Sequence, residues 1–249
     1  MSRRFQFKNL RAVMFDLYGT LVDVETDEIS SDFWAQLSRD LTVDWGIVSN
    51  PASLGEAYNQ FCVEEEARNG NGRILDNVFD RWLQEIDPLG NSKLTAPEFA
   101  AIFRRRSAKL RMRRYTVGLC KELRNAGVKL AIVSNTEALF TRVDLKDLGL
   151  AKYIDNIVLS SDLGVEKPNP EIITLALAPL EISTHSAVFI GDNWNTDIRG
   201  SLAANMISIY LTDNDRATLQ LDNERHVISA RPTDASIRNA LIAADDLLR

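Results

Sequence analysis

Short apolar runs recur along the chain with polar, helix-patterned stretches between them: Arg11–Phe15, Val128–Val133, Ile157–Ser160, Ala187–Ile190 and Met206–Leu211. Runs of this length bounded by helical periodicity predict buried strands of a parallel sheet, because parallel strands are covered on both faces and need crossover helices. One junction is legible residue by residue. Leu119–Asn125 keeps a helical apolar spacing, Gly127 suits the left-handed residue that ends a helix, and Val128–Val133 then has β-branched strand character.

Between Val22 and about Met112 the pattern changes to helical spacing alone, over Phe33–Leu41, Leu54–Arg68, Ile74–Ile86 and Ala96–Leu110, with no strand expected. Asn69-Gly70-Asn71-Gly72 and Asp87-Pro88-Leu89-Gly90-Asn91 are the expected turns. The chain therefore predicts an α/β core built from residues 1–21 and 113–249, interrupted by a helical domain at 22–112. Beyond Asp213 the sequence offers a short strand at Arg225–Ser229 and a final helix from about Thr233.

Charge narrows the partners. Among 249 residues, 29 Lys and Arg stand against 35 Asp and Glu, and the net charge of −6 argues against wholesale nucleic-acid binding. No apolar run approaches the ~18 residues of a membrane span, and the start lacks the apolar core of a signal peptide, so a cytoplasmic protein is expected. Cys62 and Cys120 have no Cys-x-x-Cys spacing, and read as reduced, structural residues.

Candidate chemistry clusters where strands end. Val13-Met14-Phe15-Asp16-Leu17-Tyr18-Gly19-Thr20 runs an apolar strand into a carboxylate, which at the carboxyl end of a parallel strand faces the ligand crevice of open α/β sheets. Alone, such a segment is also an ordinary strand-to-loop turn. Ile132-Val133-Ser134-Asn135-Thr136 offers a hydroxyl, an amide and free backbone N–H groups for an anion, or simply a helix cap. Glu166-Lys167-Pro168-Asn169-Pro170 places a lysine before a proline-initiated helix, as a point charge for an anionic substrate or a solvated side chain. Val188-Phe189-Ile190-Gly191-Asp192 followed by Asp197 delivers two carboxylates of the kind Mg²⁺ takes, or an Asx turn and a cap.

In this order and spacing, with a helical insertion just after the first, the four segments resemble the haloacid dehalogenase-like (HAD) hydrolase superfamily from about Arg11 to Tyr210. The resemblance implies a Rossmann-like three-layer core with a parallel sheet, a mobile α-helical cap, and an aspartate nucleophile whose covalent intermediate is hydrolysed by water. By position it makes Asp16 the nucleophile and sets Ser134 and Asn135 on the transferred group. Lys167 becomes the balancing charge, and Mg²⁺ falls to Asp16, the Tyr18 carbonyl and Asp192, with Asp197 behind them.

One departure bears on the chemistry. Phosphatases of this superfamily carry a second aspartate two residues after the nucleophile, as acid and base toward the leaving group; here Tyr18 stands there. A phenol of pKa ~10 is a poor base near neutrality, and loss of a positioned acid costs about 10²–10⁴-fold. Asp-Leu-Tyr-Gly-Thr-Leu is similar to the first motif of metal-independent 2-haloacid dehalogenases, whose halide leaves unprotonated. Asp192 and Asp197 point the other way, because those dehalogenases usually replace the acidic pair. The expected function is Mg²⁺-assisted hydrolysis of a small phosphate monoester, with dehalogenation and a catalytically decayed ligand-binding module as alternatives.

Other residues carry less. Arg104, Arg105, Arg106, Lys109, Arg111, Arg113 and Arg114 form a basic cluster that reads as a solvated helix face or as a steering patch for anions. His185 and His226 lack acidic or cysteine companions at ligand spacing, and Trp194 is expected to pack.

Overall fold

The computed structural model of the protein describes residues 5–69, 74–213 and 227–248. In chain order the first elements are β1 (Ala12–Phe15), β2 (Val22–Thr26), α1 (Ser31–Trp45), α2 (Pro51–Asn69), α3 (Leu75–Ile86), α4 (Ala96–Ser107), β3 (Ala108–Met112) and α5 (Thr116–Asn125). There follow β4 (Lys129–Ser134), α6 (Ala138–Asp147), β5 (Asn156–Leu159), α7 (Ser160–Leu163), α8 (Pro170–Leu177), β6 (Ala187–Gly191), α9 (Arg199–Ala203), β7 (Ile207–Leu211), β8 (Val227–Ala230) and α10 (Asp234–Leu247).

Six strands form one sheet in the order β5-β4-β1-β6-β7-β8, with each neighbouring pair parallel. Numbered among themselves they run 3-2-1-4-5-6, the Rossmann order, whose winding reverses beside the first strand. β1, β6 and nearly all of β4 are buried, as a sheet covered on both faces requires. Ala12 and Met14 of β1 pack with Ala131 and Val133 of β4, Phe189 of β6 and Ile172, Ile173 and Ala176 of α8. Val13 and Phe15 alternate to the other face and are equally buried.

The C-terminal helix closes this unit at the start of β1. Asp245 of α10 accepts the backbone N–H groups of Lys8, Asn9 and Leu10 at 2.7–2.8 Å, and the Asn9 amide donates back to the carbonyls of Asp245 and Leu248. Although burial opposes it, these hydrogen bonds hold the Asp245 carboxyl below the usual carboxylate range.

The chain divides into two compact units, one of Met1–Asp23, Arg111–Ala138 and Leu145–Arg249, the other of Val24–Leu110 and Leu139–Asp144. The second holds four helices around an aromatic core in which Trp34, Tyr58, Phe79, Trp82, Phe99 and Phe103 meet edge-on or tilted, the tightest pair being Trp82 and Phe99 with centroids 4.5 Å apart. Gly55 on α2 makes room for the Trp34 ring, since a Cβ there would lie 2.9 Å from Cε2. Within the same unit Arg104 forms a buried ion pair with Asp144, Nη2 to Oδ2 2.7 Å.

Two sequence expectations are corrected here. Helix α4 stops at Ser107, and residues 108–112 pair as β3 with β2 in a two-stranded ribbon where the pattern suggested helix to Leu110 and no strand. Ala108-Lys109-Leu110-Arg111-Met112 alternates in burial, but its Lys, Leu, Arg and Met are also good helix formers. Nor is the basic cluster one solvated face. Arg104 is buried, Arg106 pairs with Asp40, and Arg113 lies 3.0 Å from Asp23. The last strand is described over Val227–Ala230, while residues 225–226 of the expected Arg225–Ser229 run, and 70–72 of the Asn69–Gly72 turn, lie outside the described residues. No helix among the described residues is long and apolar enough to cross a membrane.

Candidate active site

Register brings the strand ends level. Phe15 of β1 sits opposite Ile132 of β4 and Ile190 of β6, so the residues that follow each strand emerge along one edge of the sheet, at the reversal of winding. Asp16 is first out of β1, its N–H bonded to the Ile190 carbonyl at 2.9 Å. Ser134 closes β4 and is 1% exposed, and Asp192 is first out of β6.

Lys167 reaches this edge from the segment before α8. Its Nζ donates to Asp16 Oδ1 at 2.6 Å and to the Val133 carbonyl at 2.8 Å, and pairs with Asp197 Oδ1 at 2.7 Å. The ammonium is 2% exposed, between carboxylates that are 8% and 1% exposed. Burial disfavours its charge, but attraction from Asp16 and Asp197 outweighs that and pushes the ammonium above the ordinary lysine range. Asn135 sets the backbone beneath it: Lys167 N–H donates to Asn135 Oδ1, and Asn135 Nδ2 donates to the Lys167 carbonyl, each at 2.8 Å. The sequence pattern offers this amide to an anion; the structure places both its oxygen and its nitrogen on the Lys167 main chain.

Carboxylate oxygens of Asp16, Asp192 and Asp197 all lie within 4.8 Å of one another. Three carboxylates facing one ammonium leave an excess of negative charge, and burial raises two of the three. Burial, opposed by Lys167 and reinforced by Asp197 and Asp192, pushes Asp16 up to about 6. Desolvation, opposed by a Thr20 hydrogen bond and aided by Asp197, raises Asp192. A clustered all-oxygen donor set with unbalanced negative charge is what a hard divalent cation such as Mg²⁺ accepts, so the residues present fit that ion.

Two glycines permit the close approach. Gly19 has φ +87°, and a Cβ there would lie 2.3 Å from Asp192 Oδ2; a Cβ on Gly191 would lie 2.4 Å from Asp197 Oδ2. The loop after Asp16 folds back on itself through Gly19 N–H to the Val22 carbonyl, 2.8 Å, and through the N–H groups of Leu21 and Val22 to the Leu17 carbonyl. Thr20, fully buried on this loop, donates its hydroxyl to Asp192 Oδ1 at 2.9 Å. Asp197 also accepts the Asn193 N–H at 3.0 Å, which ties the second acidic loop together.

The structure thus gathers Asp16, Lys167, Asp192 and Asp197, with Ser134 and Asn135 on the adjoining strand end and half-buried Tyr18 in the turn after Asp16. Thr20 lies in the first of the four segments, where its position signals no role. Tyr115, whose hydroxyl donates to the Thr20 carbonyl, is 95 residues away in sequence and gave no signal. Trp194 packs edge-on against Tyr210 at 5.4 Å between centroids. His185 precedes β6, at the far end from Asp192, and its backbone N–H and ring Nδ1 contact Ser183. His226 lies outside the described residues. Cys62 and Cys120 are free and buried, and burial pushes the Cys120 thiol up to about 12.

Comparison with known proteins adds the following. The family model described as haloacid dehalogenase-like hydrolase matches residues 10–205. The chain is 29% identical over 237 residues to a glyceraldehyde 3-phosphate phosphatase of Methanopyrus kandleri, covering 88% of this chain and 96% of that protein. It is 28% identical over 231 residues to a phosphoglycolate phosphatase of Salmonella typhimurium, covering 83% of each. Among solved structures, a phosphatase from Thermococcus onnurineus superposes with a TM-score of 0.55 at 23% identity, covering 93% of this chain and 98% of that one. A 2-haloacid dehalogenase from Pseudomonas syringae pv. Tomato superposes with a TM-score of 0.58 at 21% identity, covering 94% and 99%. Those two structures share the fold.

Proposed function

The chain belongs to the haloacid dehalogenase-like hydrolases, and from that premise we propose that it hydrolyses small phosphate monoesters with Asp16 as nucleophile and Mg²⁺ as cofactor. The observation that carries this reading is the cluster of three carboxylates around one buried ammonium. A carboxylate attacking a phosphate dianion meets like-charge repulsion that Lys167 and a divalent cation would offset, and the site has both the ammonium and the oxygen donors.

Asp16, Asp192 and the Tyr18 carbonyl would hold the ion, with Asp197 behind them gripping Lys167. When bound, Mg²⁺ supplies charge neutralisation at the phosphoryl oxygens. Asp16 Oδ1 is occupied by Lys167, so Oδ2 attacks phosphorus while the bond from phosphorus to the leaving oxygen breaks, and that oxygen takes its proton from solvent water or the Tyr18 phenol; water then attacks the aspartyl phosphate at phosphorus and gives a proton back to solvent, releasing inorganic phosphate and regenerating the carboxylate. Ser134, with the remaining amide hydrogen of Asn135, contacts the transferred group. The helical unit serves as the cap over residues 22–112, where substrate selection resides. The phosphatase names of the relatives favour small phosphorylated metabolites as substrates.

Tyr18 favours a second reading, hydrolysis of a 2-halocarboxylate, because halide needs no proton on leaving. The two readings separate in one assay: glyceraldehyde 3-phosphate, phosphoglycolate, an aryl phosphate and 2-chloropropionate, each with Mg²⁺ and with EDTA. Phosphate release that needs Mg²⁺ and vanishes in Asp16→Asn is the expected result, faster on the aryl ester whose leaving group needs least protonation. Chloride release resistant to EDTA would replace the first reading by the second. No turnover of any substrate would leave a ligand-binding module, and full activity in Asp16→Asn would remove Asp16 as nucleophile.

A further inference from the structure

Hydrogen bonds from the start of α5 hold the loop that follows Asp16. The Tyr115 hydroxyl donates to the Thr20 carbonyl, the Thr116 hydroxyl to the Leu21 carbonyl at 2.7 Å, and the Arg113 N–H to that same Leu21 oxygen at 3.0 Å. Thr20, Leu21, Tyr115 and Thr116 are all buried, and burial pushes the Tyr115 phenol above the ordinary tyrosine range, so it stays a donor. The two holds differ in where they lead. Thr20 passes its hold on, because its own hydroxyl donates to Asp192 Oδ1 at 2.9 Å. Leu21 has no polar side chain to do so, and its carbonyl would keep the Arg113 N–H if Thr116 let go. A threonine side chain is stiff about its first torsion, so the direction of the Thr20 hydroxyl follows the backbone that Tyr115 fixes. The loop is also closed on itself, Gly19 N–H to the Val22 carbonyl and Leu21 and Val22 N–H to the Leu17 carbonyl, which leaves little slack to absorb a shift at Thr20. We propose that Tyr115 is a positioning residue for the metal site, acting through Thr20 to aim the Asp192 carboxylate; the inference rests on the reading of Asp192 as a ligand of Mg²⁺. Groups that orient metal ligands from behind are worth about 10–100-fold in metal affinity.

Titration calorimetry of the full chain with Mg²⁺ tests this without any turnover, with urea unfolding in EDTA reporting stability separately. Tyr115→Phe keeps the ring and removes only the hydroxyl. It and Thr20→Val are each expected to weaken Mg²⁺ by about tenfold or more, while Thr20→Ser, which keeps the hydroxyl, stays close to wild type. Because Tyr115 acts through Thr20, Tyr115→Phe/Thr20→Val should bind no more weakly than Thr20→Val alone. Thr116→Val removes an equally buried hydroxyl from the next carbonyl and should lower the urea midpoint with Mg²⁺ affinity unchanged. Wild-type affinity in Tyr115→Phe or in Thr20→Val, an equal loss in Thr116→Val, or losses that add in the double variant would each overturn the proposal while leaving the metal reading intact. The Thr20 pair tests the same link with Tyr115 untouched, should Tyr115→Phe not fold. Absence of Mg²⁺ binding to the wild type, or undiminished binding in Asp192→Asn, would instead remove the metal reading and this proposal with it.

Discussion

Replacing Lys167 by Met removes the ammonium but keeps an unbranched chain of similar reach, so the site loses charge more than volume. In the wild type the ammonium touches Asp16, Asp197 and the Val133 carbonyl at 2.6–2.8 Å, all buried. Breaking a buried pair from one side costs about 3–5 kcal/mol. The variant can recover part of that by binding a proton. Asp16 is already pushed up to about 6 with the cation in place, so without it the carboxyl rises further. A raised carboxyl contributes stability that is complete below the unfolded value near 4 and is lost as pH rises through the folded value. Wild-type Asp16 itself takes a proton below about 6, so the variant gains on it only between pH 8 and that value, and at about 1.4 kcal/mol per pKa unit protonation offsets up to ~3 kcal/mol. Urea unfolding in EDTA, followed by far-ultraviolet circular dichroism, should show Lys167→Met less stable than wild type by about 4 kcal/mol at pH 8 and by about 1 kcal/mol at pH 5. A deficit of the same size at both pH values, or a larger one at pH 5, would refute the claim that Lys167 is the counter-charge of a dry carboxylate pair.

Further outcomes follow from the same geometry. Since burial and Asp197 disfavour ionised Asp192, Asp192→Asn should stabilise the metal-free protein at pH 8 by about 0.5 kcal/mol, a figure kept small because the group is partly hydrated. Thermal melts should show this gain in EDTA and a reversed order in excess Mg²⁺, where only the wild type gains by binding; an unchanged order would count against a metal held by Asp192. Gly19→Ala pits a Cβ against Asp192 at a φ of +87° and should cost about 1–3 kcal/mol together with most of the Mg²⁺ affinity; calorimetry showing wild-type affinity would contradict this. In the helical unit, Arg104→Met removes the guanidinium from buried Asp144 and should cost about 3 kcal/mol, with Arg104→Met/Asp144→Leu regaining most of it in denaturant titrations. Additive losses in the double variant would show that the pair is not coupled.

Legibility followed the kind of interaction. Five sheet strands were readable because burial on both faces leaves unbroken apolar runs, and the site edge was readable because each run ends in a polar residue that register then aligns. The β2 and β3 ribbon was not, since five residues with one partner strand carry too little pattern against helix-forming side chains. Arg104 was misread for a related reason: a guanidinium is counted as surface until its carboxylate is known, and Asp144 lies 40 residues away. The link from Asn135 to Lys167 and from Tyr115 to Thr20 depends on which loops meet, which no local spacing records.

The grip of Asp245 on residues 8–10 makes α10 a part of the support of Asp16. Three backbone N–H groups immediately before β1 have their acceptor on the last helix, and β1 is the strand that delivers Asp16. Loss of the Asp245 carboxylate would leave every residue of the carboxylate cluster in place, yet it would unmoor the start of the strand on which Asp16 rides. A change on α10, which shares no residue with the site, would therefore register as lost precision at Asp16.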